Sequence, residues 1–187
     1  MDLKEAIYTR RSIRAYERKP VEKAVVRELI EAAVQAPCGM AAQAWSFAVI
    51  EDAELLADLD ARTKTFMLGM IESVPPLERY RPILEDPGFR IMFGAPVLVL
   101  VCARPDVSPS AETDCALAAE NLMLAARGHG LGTCWMGFVE LYLESAEGRE
   151  RFGIPEGHKI AAPIIVGYPA VKFTAVNRKA PDLLFWK

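Results

Sequence analysis

The sequence predicts a mixed α+β fold, and three observations lead there. Apolar residues recur at three- and four-residue steps from Val21 to Ala33 and again from Leu55 to Met70, the period of a helix with one buried face. Val97 to Ala103 is an unbroken apolar, β-branched run, as expected of a strand covered on both faces. Helical and extended segments follow one another without repeats, low-complexity tracts or linker composition, so residues 1–187 read as one domain. A chain of 187 residues with 52% apolar content is long enough to bury a sizeable core.

Taken in order, Leu3, Ile7 and Tyr8 mark a first short helix that runs into the basic cluster Arg10, Arg11 and Arg14. Pro20 opens a second helical pattern, which stops before Pro37. WSFAVIED, Trp45 to Asp52, reads as a strand and Ala53 to Ile71 as a helix. Pro75, Pro76, Pro82 and Pro87 break the next stretch into short pieces. After the central strand, Asp114 to Arg127 is helical by composition, yet apolar residues surround the cylinder except at Asp114, Glu120, Asn121 and Arg127. A helix of this kind needs cover on nearly all sides, either from the rest of its own chain or, as the more economical and expected cover, from a second copy of the chain. GLGTCWMGFVE from Gly130 reads as a strand that starts with small residues, Tyr142 to Phe152 as a helix ended by Gly153 and Pro155, and Lys159 to Val166 as the last strand.

Composition removes several classes of function. A net charge of -3 gives no basic field for nucleic acid. The most apolar run, Gly94 to Ala103, falls well short of the roughly 20 residues that span a bilayer, and MDLKEAIYTRR is not built as a signal peptide, so no membrane association and a cytoplasmic location are expected. Cys38, Cys102, Cys115 and Cys134 are far apart and form no C-x-x-C pair, and no metal site is expected. His129 and His158 lie outside any hydrolase or metalloprotease motif and read as structural or surface residues. GHGLG, Gly128 to Gly132, has the wrong spacing for a dinucleotide fingerprint.

One connector is anomalous. APCGMAAQAW, Ala36 to Trp45, joins a helix to a strand but is free of charge, whereas loops exposed to water are normally polar. Together with RRSIRAY near the N-terminus, DCALAAENLMLAARGHGLGTCWMG in the middle and IPEGHKIAAPIIVGYPAVKFTAVNRKAP near the C-terminus, it makes the chain resemble the FMN-dependent nitroreductase family almost end to end. The resemblance implies an α+β sandwich with a mainly antiparallel central sheet flanked by helices, in an interlocked homodimer with FMN at the subunit interface.

It also implies roles for particular residues. Arg10, Arg11 and Ser12 would meet the phosphate and ribityl chain, joined from the other end of the chain by Arg178, since arginine bonds several phosphate oxygens at once. Arg14 would favour the reduced flavin by placing a cation beside N1 and the C2 carbonyl. Cys134, Trp135, Met136 and Gly137 would line one face of the ring, with local backbone N–H groups toward N5. Pro37, Cys38, Gly39, Met40 and Gln43 would contact the flavin held mainly by the other subunit. This sequence departs from the family there: Cys38, Ala41 and Ala44 replace the usual Ser, Asn and Pro, which removes a hydroxyl and an amide from the ring's surroundings. The implied mechanism is ping-pong, with NADH or NADPH as a transient donor of hydride to FMN N5 and a small nitroaromatic or quinone-type acceptor following it, and needs no catalytic side chain. Alternatives within the same fold are reductive dehalogenation or flavin ring cleavage, which would require a specialised lid between Met67 and Phe93, and a non-catalytic flavin-binding protein.

Overall fold

The structure, a computed structural model, describes residues 1–173 and 178–187. Its elements are α1 (Leu3–Thr9), α2 (Lys23–Ala33), β1 (Trp45–Ile50), α3 (Ala53–Ile71), α4 (Arg81–Glu85), β2 (Val97–Ala103), α5 (Ala111–Gly128), β3 (Gly132–Trp135), α6 (Gly137–Leu143), α7 (Ala146–Phe152) and β4 (Lys159–Gly167). The strands form one open sheet in the order β1-β2-β4-β3, and all three pairings are antiparallel. No helix among the described residues is long and apolar enough to cross a membrane.

β2 is central because its sequence allows nothing else: each of its residues is buried. Successive side chains of a strand point to opposite faces. Val97, Val99, Val101 and Ala103 therefore join Ile164 and Val166 of β4 in a core against α2 and α5, where Leu29, Ala118 and Leu122 are fully buried. Leu98, Leu100 and Cys102 join Ile165 in a second core against α3 and α6, with Leu59, Met67, Val139 and Tyr142. Each large side chain so covered contributes about 1.5–3 kcal/mol relative to exposure. Two layers of helices thus enclose the sheet, and the mixed, mainly antiparallel architecture expected from the sequence is what forms.

Several boundaries differ from expectation, each for a local reason. β1 ends at Ile50 because Asp52 caps α3, its carboxylate accepting from the Leu55 N–H at 2.8 Å. The strand expected from Gly130 lasts only from Gly132 to Trp135. Beyond it the Met136 N–H makes a last bond to the Pro163 carbonyl at 2.9 Å, and Val139, Tyr142 and Leu143 carry a helical period into α6. The helix expected over Tyr142–Phe152 is two helices, since Ser145 takes an extended conformation and caps α7 by accepting from the Gly148 N–H at 3.1 Å.

α5 answers much of its need for cover within one chain. Ala111, Cys115, Ala118, Ala119, Leu122, Met123 and Ala126 are buried, and even Asp114 is 3% exposed, while Leu117 remains 42% exposed. α2, the sheet and α1 supply this cover.

The α6–α7 corner provides a test of packing. A Cβ at Gly148 would overlap the Tyr142 carbonyl oxygen and approach the Leu143 Cα to 2.8 Å, both main-chain atoms that cannot swing away. Gly148→Ala is expected to lower stability by about 1–3 kcal/mol, read as a shifted denaturant midpoint with unchanged slope.

Candidate active site

The N-terminal segment builds one side of the site by adding itself to the sheet. The Ile13 N–H donates to the Thr133 carbonyl at 2.9 Å, in a parallel bridge between Ser12 and Thr133. Farther on, Glu17 N–H donates to Tyr168 O at 2.8 Å and Ala170 N–H to Ala15 O at 2.9 Å. Residues 12–17 therefore run beside β3 and the segment after β4. The approach is close enough that a Cβ on Gly132 would lie 2.6 Å from Ile13 Cγ1. Glycine is required there for space.

This seam brings Arg14 to the mouth of a cavity of about 370 Å³ whose floor is Cys134, Trp135, Met136 and Gly137. The rest of its wall is Tyr80, Ile83, Phe89, Ile91, Phe93 and Phe138. Tyr80 meets Phe138 edge-on with centroids 5.0 Å apart, and Phe89 meets Phe93 at 5.8 Å. The segment that carries Phe89 is tied to α3, where the Lys64 ammonium donates to the Asp86 and Phe89 carbonyls and the Asp60 carboxylate accepts from the Met92 N–H at 2.8 Å. The aromatic wall was not anticipated from the sequence, where the prolines obscured any period. The clustering of Tyr80, Phe89 and Phe93 in an otherwise broken stretch was the available signal.

Charge is arranged sparingly around this apolar slot. Cys134 is 3% exposed, and burial pushes its thiol above its ordinary pKa against the opposing effects of Arg14 and a hydrogen bond with Ser12, so it stays neutral. Burial also raises Glu140, against the opposing effect of the Trp135 side chain. Arg10 donates from Nε to Glu120 of α5 at 3.1 Å, which holds its guanidinium at the helix surface. Arg11 is half-buried, and the neighbouring Arg127 donates to Thr9 Oγ1 at 3.0 Å while stacking 4.0 Å from the Phe173 ring.

The other expected residues stand elsewhere. Arg178 is exposed and has no described contact with Arg10, Ser12 or Arg14; the neighbouring 174–177, part of the C-terminal motif, lie outside the described residues. Pro37, Cys38, Gly39, Met40 and Gln43 do not line the cavity of their own chain. They form a short 3₁₀ turn over Gly39–Ala41 in which Met40, Ala41 and Gln43 have φ of 52°, 54° and 47°. Left-handed backbone at non-glycine residues is uncommon and costs energy that surrounding contacts must offset. Those contacts come from α5: the Gly39 N–H donates to both Asp114 oxygens at 3.2 and 3.1 Å, and Ser110 Oγ donates to Oδ2 at 3.2 Å. A side chain at Gly39 would overlap Ser110 Oγ. Asp114, invisible as a site residue in the sequence, is thus what holds the uncharged loop.

The histidines are remote from the cavity. His129 lies 3.2 Å from Glu28, and His158 Nε2 lies 3.3 Å from Ser46 Oγ.

Comparison with known proteins places this geometry. Residues 7–168 match the family described as the Nitroreductase family. A protein of Methanothermobacter thermautotrophicus carrying the provisional name NADH dehydrogenase/NAD(P)H nitroreductase is 33% identical over 175 residues, which cover 91% of this chain and 78% of that protein. A nitroreductase with bound FMN from Bacteroides fragilis superposes with a TM-score of 0.85 at 28% identity, and one with bound FMN from Desulfitobacterium hafniense with a TM-score of 0.81 at 26%, each covering 100% of both chains.

The loop anchor is open to measurement. Asp114→Ala leaves the Gly39 N–H and the Ser110 hydroxyl without their charged acceptor, and is expected to cost about 1.5–3 kcal/mol in denaturant unfolding. Asp114→Asn retains one carbonyl acceptor and is expected to cost less. Equal stability of Asp114→Ala and the unchanged protein would show that the loop is held by other contacts.

Proposed function

The chain belongs to the nitroreductase family, and from that premise we propose that it is an FMN-dependent oxidoreductase that takes hydride from NADH or NADPH and passes it to a small nitroaromatic or quinone-type acceptor, the two binding in turn in one cleft. The observation that carries this reading is the placing of one guanidinium among the described residues, Arg14, at an apolar slot floored by Cys134 to Gly137. Bound there, FMN would supply the centre that accepts and releases hydride.

The residues present fit a flavin. A flat apolar ring system wants an apolar slot with few polar groups, and the aromatic wall provides this while excluding water. Arg14 matches the negative charge that reduction brings to one edge of the ring. Among the cavity's backbone donors, the Met136 N–H is engaged by Pro163, so we assign the contact to the ring's N5 edge to Gly137, which opens α6 and has no helical acceptor of its own. The neutral Cys134 thiol adds no repelling charge beneath the ring. Arg10, Arg11 and Ser12 are assigned to the phosphate and ribityl chain, with Arg178 joining them. Arg10 would then exchange part of its contact with Glu120 for phosphate oxygens.

The oligomer proposed is a homodimer, and exposed apolar side chains support it. Leu3, Ile7 and Tyr8 of α1, Leu117 of α5 and the run Leu183, Leu184, Phe185 and Trp186 all face solvent in one chain, with Trp186 91% exposed. Met40, fully exposed at the crest of the loop, belongs with them and suits a loop that reaches the partner's flavin. Four free cysteines suit a reducing compartment, and the cytoplasm is the proposed location.

Purified protein is expected to be yellow, or to become so on adding FMN, and to bleach anaerobically with NADH or NADPH. Colourless protein that takes up no FMN overturns the reading. Arg10→Ala is expected to weaken FMN by about 1.5–3 kcal/mol and riboflavin by much less, since riboflavin lacks the phosphate; equal losses would remove Arg10 from the phosphate site. Light scattering at micromolar concentration is expected to give the mass of two chains, and a folded monomer would refute the dimer.

A further inference from the structure

The ring cleft has a neighbour of opposite character. Phe89 and Phe93 line both, and beyond them lies a second cleft of about 590 Å³ bordered by Tyr16, Arg18 and Arg90. The shared wall is fixed by two consecutive left-handed residues, Phe93 at φ 54° and Gly94 at φ 74°. Among the described residues, no carboxylate lines this second cleft. Tyr16 closes its inner end, its hydroxyl donating to the Ile13 carbonyl at 2.8 Å.

Several other arginines at the surface are paired with carboxylates: Arg62 with Asp58 and Glu147, Arg81 with Glu78, Arg149 with Glu144 and Arg151 with Asp58. The guanidinium groups of Arg18 and Arg90 have no ion-pair or hydrogen-bond partner among the described residues. Arg90 also lines a smaller cleft with Glu51 and Asp60, and Asp60 is already engaged by the Met92 N–H. Two unneutralised guanidiniums beside an apolar slot form a recognition surface for a molecule with a flat apolar part and an anionic end.

We propose that Arg18 and Arg90 are specificity-determining residues that form an anion subsite for the charged end of the compound whose ring occupies the Cys134–Phe138 cleft. The chemistry recognised is a phosphate or carboxylate. Its source is either the phosphates of the nicotinamide donor or an acidic substituent on an aromatic acceptor. The inference rests on the oxidoreductase reading for the identity of the ring compound, and on the cleft alone for the charge it selects.

The test compares charged and uncharged members of two pairs on FMN-loaded protein, unchanged and as Arg18→Gln/Arg90→Gln. Anaerobic rapid mixing compares NADPH with uncharged 1-benzyl-1,4-dihydronicotinamide. Calorimetric titration, which needs no turnover, compares 4-nitrobenzoate with 4-nitrobenzamide. The preference for the charged member is expected to fall roughly ten- to hundredfold in one pair, the loss of one hydrogen bond to a charged group, and to be restored in part by Arg18→Lys/Arg90→Lys. It should also fall with added salt in the unchanged protein. A fall in the dihydronicotinamide pair assigns the subsite to the donor, and a fall in the nitrobenzene pair to the acceptor. Unaltered preference in both pairs overturns the proposal. Failure of both dihydronicotinamides to reduce the unchanged protein would instead remove the oxidoreductase reading, with calorimetry still deciding the subsite.

Discussion

The seam between Ile13 and Thr133 is the constraint from which the site follows. One main-chain hydrogen bond at 2.9 Å is worth only about 0.5–1.5 kcal/mol net, but it fixes the register of residues 12–17 against β3. Register determines which side chains face the cavity, because a slip of one residue in an extended segment turns each side chain to the opposite face. With Ser12 opposite Thr133, Ile13 is buried against Gly132 and Arg14 reaches the cavity mouth. A larger residue at 132 would lift the segment away and take the cation with it. Arg14, the one guanidinium that lines the slot among the described residues, is therefore positioned by backbone pairing and by the absence of a side chain.

A second anchoring problem arises at the loop Pro37–Gln43, and it is solved by charge. Three non-glycine residues in left-handed conformation would not persist in a free connector, and a carboxylate buried without donors would be costly as well. Each problem answers the other. Asp114 receives the Gly39 N–H and the Ser110 hydroxyl, and in return the start of the turn is held to α5. The residues that follow, Met40 above all, project outward, so the loop's apolar character serves a surface beyond its own chain.

What was legible in the sequence divides along physical lines. α3 and β2 are found at their expected bounds because their signals are local: a capped amphipathic period in one and a continuous apolar run in the other. The segment after Trp135 was misassigned because its apolar content suits strand and helix equally, and the decision is made by Met136 bonding to Pro163, a contact between residues far apart in sequence. At the site, Arg14 and Cys134 to Gly137 line one cavity. The aromatic wall was not legible, since Tyr80, Ile83, Phe89 and Phe93 lie on short pieces that tertiary bonds from Lys64 and Asp60 hold in place. Asp114 was read as one of a few polar interruptions on an apolar helix. Its role depends on a loop some seventy residues earlier, which no periodicity encodes.

The same elements explain how one fold can separate the demands of holding a ring from those of selecting what meets it. β3 and the segment paired with it are part of the sheet, and the sheet's two central strands are buried on both faces, so the floor and Arg14 inherit the rigidity of the core. Apart from Phe138 of α6, the aromatic wall and Arg90 instead sit on a proline-broken stretch outside the sheet, joined to α3 by a few polar contacts and by the burial of Leu84, Ile91 and Met92. Substitutions in that stretch leave the sheet's hydrogen bonds intact, whereas changes at Gly132 or Ile13 disturb both stability and the position of Arg14. Selectivity is thus free to vary on a floor that is not: of the two arginines of the second cleft, Arg90 belongs to the outlying stretch, whereas Arg18 follows the segment paired with the sheet.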